Sequence, residues 1–116
     1  MQKLLIIDDD QAIREVLTEA YSDDYYIRTS SGPDNVFVLL KDFEPDIILI
    51  EYNLHGKSGA GICSSIKLNP DTSHIPVILL STIPEPNAEI RNCFCDIYIE
   101  KPFDLWALKE AIDDSL

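Results

Sequence analysis

The sequence predicts an α/β domain, residues 1–116, in which a five-stranded parallel sheet carries five helices spread over both faces. Two observations carry this. The runs Leu4–Ile7, Ile47–Ile50 and Pro76–Leu80 are apolar without polar alternation, as strands buried on both faces are. Between them lie segments whose apolar residues recur at helical spacing, and parallel neighbours need such crossovers. The chain has 116 residues, of which 46% are hydrophobic, enough for one packed core without metal or disulfide staples.

The first strand, Leu4 to Ile7, stops at Asp8-Asp9-Asp10. Ile13, Val16, Leu17 and Ala20 then share a helical face, with Asp10 as the capping residue near its positive end. Tyr25–Thr29 is rich in aromatic and β-branched residues and reads as the second strand. After the breaker Ser31-Gly32-Pro33-Asp34, a second helix carries Val36, Leu39, Leu40 and Phe43. The third strand ends at Glu51, and a loop through His55, Gly56 and Gly59 leads to a third helix from about Ile62 to Leu68, stopped by Asn69-Pro70. The fourth strand ends in Ser81-Thr82. Two prolines then leave room only for a short fourth helix, about Asn87 to Phe94. Ile97–Ile99 is the fifth strand, followed by Glu100-Lys101-Pro102, and Asp104 caps a last helix bearing Leu105, Leu108 and Ile112.

Composition excludes several functions. With 21 acidic and 9 basic side chains, the net charge of −12 argues against nucleic acid or an anionic membrane as a direct partner. The N-terminal apolar run is too short for a membrane span or a signal-peptide core, and the chain reads as cytoplasmic. Cys63, Cys93 and Cys95 include no CxxC pair and read as packed thiols of a reducing compartment, and the two histidines lie too far apart in sequence to support zinc.

In parallel α/β sheets, sites form outside the carboxyl ends of the strands. Polar groups gather there: Asp8 and Asp9 after strand one, Glu51 after strand three, Ser81 and Thr82 after strand four, Lys101 after strand five. Converging carboxylates repel one another, and a hard divalent cation such as Mg2+ or the Lys101 ammonium would relieve them. A hydroxyl and an ammonium aimed at the same space suit phosphoryl oxygens.

Taken together, Ile6-Ile7-Asp8-Asp9, Pro45-Asp46-Ile47-Ile48-Leu49-Ile50, Pro76-Val77-Ile78-Leu79-Leu80-Ser81 and Asp96-Ile97-Tyr98-Ile99-Glu100-Lys101-Pro102-Phe103 resemble the receiver domain of two-component response regulators over essentially the whole chain. The resemblance implies a flavodoxin-like (CheY-like) three-layer sandwich with strand order 2-1-3-4-5. It implies Asp8 and Asp9 as the acidic pair that helps hold Mg2+, completed by Glu51 and the Asn53 backbone carbonyl. It implies Ser81 as the switch hydroxyl, Thr82 at the entrance, Tyr98 as the aromatic that moves with the hydroxyl, and Lys101 as the phosphoryl contact preceding a cis proline. The partners implied are a sensor histidine kinase or phosphotransfer protein, an output domain or target, and a second copy meeting the face of helix four, strand five and helix five.

The resemblance has one decisive departure. The acceptor position at the end of strand three, an aspartate in ordinary receivers, is Glu51. Its extra methylene places the carboxylate where a phospho-aspartate would hold its phosphoryl group, so phosphorylation is expected to be impaired or abolished. Glu51 then either imitates the phosphorylated state with a single charge or pairs with Lys101 and locks one state. The loop that follows lacks the usual proline, and Gly59 is expected to keep its turn. Rival readings are a receiver still phosphorylated by a kinase and a small haloacid-dehalogenase-like phosphatase. The latter places an aspartate after a buried first strand, but Asp8-Asp9-Asp10-Gln11-Ala12 lacks its Gly-Thr. The leading reading is a signalling module without catalytic turnover.

Overall fold

The computed structural model describes residues 1–116. The elements are β1 (Gln2–Ile7), α1 (Gln11–Tyr21), β2 (Tyr25–Ser30), α2 (Val36–Phe43), β3 (Ile47–Glu51), β4 (Asn53–Leu54), β5 (Lys57–Ser58), α3 (Gly59–Leu68), β6 (Val77–Ser81), α4 (Ala88–Arg91), β7 (Ile97–Glu100) and α5 (Leu105–Ser115). Five strands form one sheet in the order β2-β1-β3-β6-β7, with every pairing parallel, which is the expected 2-1-3-4-5 among the sheet strands.

Strand periodicity divides the core into two. Leu5, Ile7, Ile48, Ile50, Val77 and Leu79 point to one face, where Val36, Leu40, Ala60, Cys63, Ile66 and Ile90 of α2, α3 and α4 cover them. Their neighbours Leu4, Ile6, Ile47, Leu49, Ile78 and Leu80 point to the other, under Leu17 and Tyr21 of α1 and Leu108 and Ile112 of α5. An apolar residue at every position of β3 and β6 before the last is what two covered faces demand. No helix is long and apolar enough to cross a membrane.

Four expectations need correction. The buried line of α1 is Leu17 and Tyr21, with Ile13 partly buried, while Val16 is 48% exposed. Tyr21, one turn beyond Leu17, outcompetes Ala20 for the core because it buries far more apolar surface. α3 starts at Gly59 rather than near Ile62. Ser58 caps it, Oγ accepting from the Gly61 N–H at 3.0 Å, and the small residues between give no apolar period to read. α4 is a single turn ending at Arg91, and Phe94 adopts a left-handed φ of 64° and is exposed. The glycine that makes the turn after β3 is Gly56, at φ 84°, in the small antiparallel β4–β5 hairpin.

Gly59 is required for a different reason. A Cβ at Gly59 would lie 2.0 Å from the Glu51 carbonyl oxygen, so its missing side chain lets α3 pack against the end of β3.

Candidate functional site

The carboxyl edge of the sheet brings Asp8, Glu51, Ser81 and Lys101 together from four strands, because each stands at or just past a strand end in a sheet whose strands all point one way. Asp8, Glu51 and Ser81 are the only buried polar or charged residues, 1%, 7% and 2% exposed. Lys101 enters between two of them. Its Nζ lies 3.0 Å from Asp8 Oδ2 and 2.8 Å from Glu51 Oε2. The Lys101 N–H also donates to the Ser81 carbonyl at 2.7 Å, and the Lys101–Pro102 peptide is cis, as the resemblance implied.

Charge is only partly balanced here. The contact to Glu51 is a close ion pair without hydrogen-bond alignment, so Glu51 Oε2 is a buried oxygen with no aligned donor. Burial pushes the Glu51 carboxyl above its ordinary range. The ammonium of Lys101 pulls it back, the charge of Asp8 adds to the rise, and an Asn53 backbone hydrogen bond opposes it. For Lys101, burial works against the charged form, but contacts with Glu51 and Asp8 outweigh it and hold the ammonium above its ordinary value.

Other residues divide into supports and neighbours. Asp8 Oδ1 accepts from the Asp10 N–H at 2.9 Å, and Arg14 of α1 donates to the Asp8 carbonyl at 2.7 Å. Asp10 caps α1 through the Ala12 N–H at 2.9 Å, in agreement with the capping role read from sequence. Asp9 is held by the loop after β3. Its Oδ2 accepts from the His55 backbone N–H at 3.1 Å and lies 3.4 Å from His55 Nδ1. The Asn53 side chain accepts from the Gly56 N–H at 2.8 Å and closes the hairpin turn.

Ser81 and Tyr98 meet on one residue: Ser81 Oγ accepts from the Ile83 N–H at 3.0 Å, and the Tyr98 hydroxyl donates to the Ile83 carbonyl. Thr82 is exposed on the rim of the cleft. That cleft, about 510 Å³, is lined by Glu51, Tyr52, Asn53, Gly56, Lys57, Ser58, Ser81, Thr82, Ile83 and Glu89. Tyr52, Asn87, Glu89 and Arg14 were not singled out from sequence. For Tyr52, its place directly after the strand-ending Glu51 was an available signal.

The donors are all oxygens, which is the right chemistry for Mg2+. As the side chains stand, no three His, Cys, Asp or Glu groups are gathered closely enough to hold an ion. Lys101 stands between Asp8 and Glu51, and Asp9 is engaged by His55, so the expected metal set of Asp8, Asp9, Glu51 and Asn53 is not assembled.

A family model for the response regulator receiver domain matches residues 4–113. The chain belongs to the receiver domain family. Among similar proteins, this receiver is 32% identical to the transcriptional regulatory protein KdpE of Staphylococcus aureus, over 95% of this chain and 48% of that one. It is 26% identical to chemotaxis protein CheY-3 of Vibrio cholerae, over 96% of this chain and 88% of that one. With the phosphate regulon regulator PhoB of Rhizobium meliloti it shares 24% identity over 89% of this chain and 47% of that protein. The receiver thus spans about half the length of the PhoB and KdpE relatives. In fold it is similar to CheY4 of Vibrio cholerae, with a TM-score of 0.90 at 20% identity, covering 100% of this chain and 99% of that one. It is also similar to the receiver domain of a histidine kinase from Syntrophus aciditrophicus, with a TM-score of 0.92 at 24% identity over 100% and 90% of the two chains. The haloacid-dehalogenase-like alternative finds no support in these likenesses.

Proposed function

We propose that this receiver is a protein-contact module of two-component signalling in which Glu51 stands at the acceptor position and is held by Lys101 in place of a phosphoryl group. The observation that carries this reading is the 2.8 Å contact between Lys101 Nζ and Glu51 Oε2. In the family reading, that lysine is the phosphoryl contact, and here a side chain of the protein occupies it.

Of the two consequences of Glu51, the geometry favours the lock over the mimic. Ser81 Oγ accepts from Ile83 and makes no hydrogen bond to Glu51, so the carboxylate engages the lysine without engaging the hydroxyl. One carboxylate also supplies one charge and two oxygens, against nearly two charges and three oxygens for a phosphate. In-line phosphoryl transfer depends on position, and a displacement of about 1 Å costs roughly a hundredfold in rate. Glu51 is therefore a poor acceptor.

Receivers generally bind Mg2+ at this site and meet histidine kinases and output domains. In this chain Asp9, Asp8, Glu51 and the Asn53 carbonyl would be the oxygens offered to the ion once Lys101 and His55 release them, and the ion would supply charge neutralisation there. The KdpE and PhoB relatives are named as transcriptional regulators and are about twice as long, which supports an output domain as the target of this module in its full setting.

The test is intact-mass analysis after incubation with Mg2+ and a small acyl phosphate, for the native chain and for Glu51→Asp. The expected outcome is an unmodified native chain and a phosphoryl adduct on the aspartate variant. Labelling of native Glu51 would overturn the proposal.

A further inference from the structure

We propose that Tyr52 is a positioning residue that ties the Glu51 strand end to α4, so that the placement of α4 is set by how Glu51 sits in the site. The proposal rests on the reading of Glu51 as the permanent occupant of the site, and adds the route by which that occupant reaches the surface.

The backbone of Tyr52 has little freedom. Its N–H donates to the Leu80 carbonyl of β6 at 2.7 Å, and its carbonyl accepts from the Gly59 N–H of α3 at 2.6 Å. Any shift of the Glu51 peptide is thus carried by Tyr52, which is covalently next to it and pinned between two packed elements. The half-buried side chain lines the cleft and reaches α4. There its hydroxyl donates to Glu89 Oε1 at 2.7 Å and accepts from Asn87 Nδ2 at 3.1 Å.

α4 has few other holdings. It is four residues long, too short to be stable alone, and only Ile90 of its residues is buried. Asn87 caps it, Oδ1 accepting from the Ile90 N–H at 2.9 Å. One phenol therefore orients both the cap and the first-turn carboxylate of this turn. Removing the hydroxyl while keeping the ring deletes both tethers and leaves the packing of Tyr52 in place.

The experiment is amide hydrogen exchange read by mass spectrometry on peptides covering 86–94, for the native chain, Tyr52→Phe, Glu51→Gln and the double variant. Tyr52→Phe is expected to speed exchange in this segment roughly fivefold, the worth of about one net hydrogen bond, with β1 and β3 peptides unchanged. Glu51→Gln is expected to shift exchange there in the native background and to lose that effect in the Tyr52→Phe background. Unchanged exchange in Tyr52→Phe overturns the proposal, as does a Glu51→Gln effect that is absent or equal in both backgrounds. If Glu51→Gln loosens the whole sheet, Glu51→Asp replaces it in the same comparison. Phosphoryl labelling of the native chain would instead sink the reading of Glu51 while leaving the Tyr52→Phe result intact, so the two failures are distinct.

Discussion

Lys101 is the residue on which the site turns. It is a partly buried ammonium between two buried carboxylates, and neither acid has another cationic side chain within ion-pair distance. The end of β3 depends equally on a side chain that is missing. Gly59→Ala would drive a methyl into the Glu51 carbonyl, and overpacking of this kind costs about 1–3 kcal/mol. Gly61→Ala is the matched control, since its nearest neighbours would lie 3.8 Å from the new Cβ and alanine favours a helix. Urea unfolding should show a lowered midpoint for the first and an unchanged or raised one for the second. Equal behaviour would remove the packing role of Gly59. The strand-end acids were legible in the sequence because each closes an apolar run. The Lys101 ammonium was legible as their counter-charge for the same reason, whereas the contact of Asp9 with His55 was not, because it joins residues 46 positions apart.

Among elements, α1 and β2 meet α5 along a seam closed by tyrosines. The Tyr21 hydroxyl donates to the Leu105 carbonyl at 2.7 Å, and the Tyr25 hydroxyl to Asp113, which also pairs with Lys109 at 2.8 Å. Burial, with the charge of Asp104 added, pushes the Tyr21 phenol from 10.0 up to about 12. The folded value lies above the unfolded one, so the stability it contributes is complete below pH 10 and is lost as pH rises through about 12. Burial and the contact with Asp113 push the Tyr25 phenol up as well, so tyrosinate absorbance followed against pH should show late-ionising tyrosines, one fewer in Tyr21→Phe. A titration with every tyrosine near its ordinary value would contradict the seam. Buried strands and the caps Asp10 and Asp104 were readable because run length and cap chemistry are local signals. The β4–β5 hairpin was not, since strands of two residues carry no period. The boundaries of α3 and α4 were misplaced because small residues begin the first and a left-handed Phe94 follows the second.

The whole molecule packs 116 residues to a radius of gyration of 12.8 Å while carrying a net charge of −12. Self-repulsion on that scale opposes compaction, and physiological salt screens it beyond about 8 Å. Thermal stability should therefore rise between low and physiological ionic strength. A fall would mean that attractive pairs such as Lys67–Asp96, at 2.6 Å, outweigh the net repulsion.

The pairing of Glu51 with Lys101 is tested most directly by a double-mutant cycle in denaturant unfolding. Lys101→Met strands two buried carboxylates and should cost about 3–5 kcal/mol. Glu51→Gln removes one of those charges, so adding it to Lys101→Met should recover at least about 1 kcal/mol, well outside additivity. Two effects that simply add would show that Glu51 and Lys101 do not hold one another, and the locked site would fall with them.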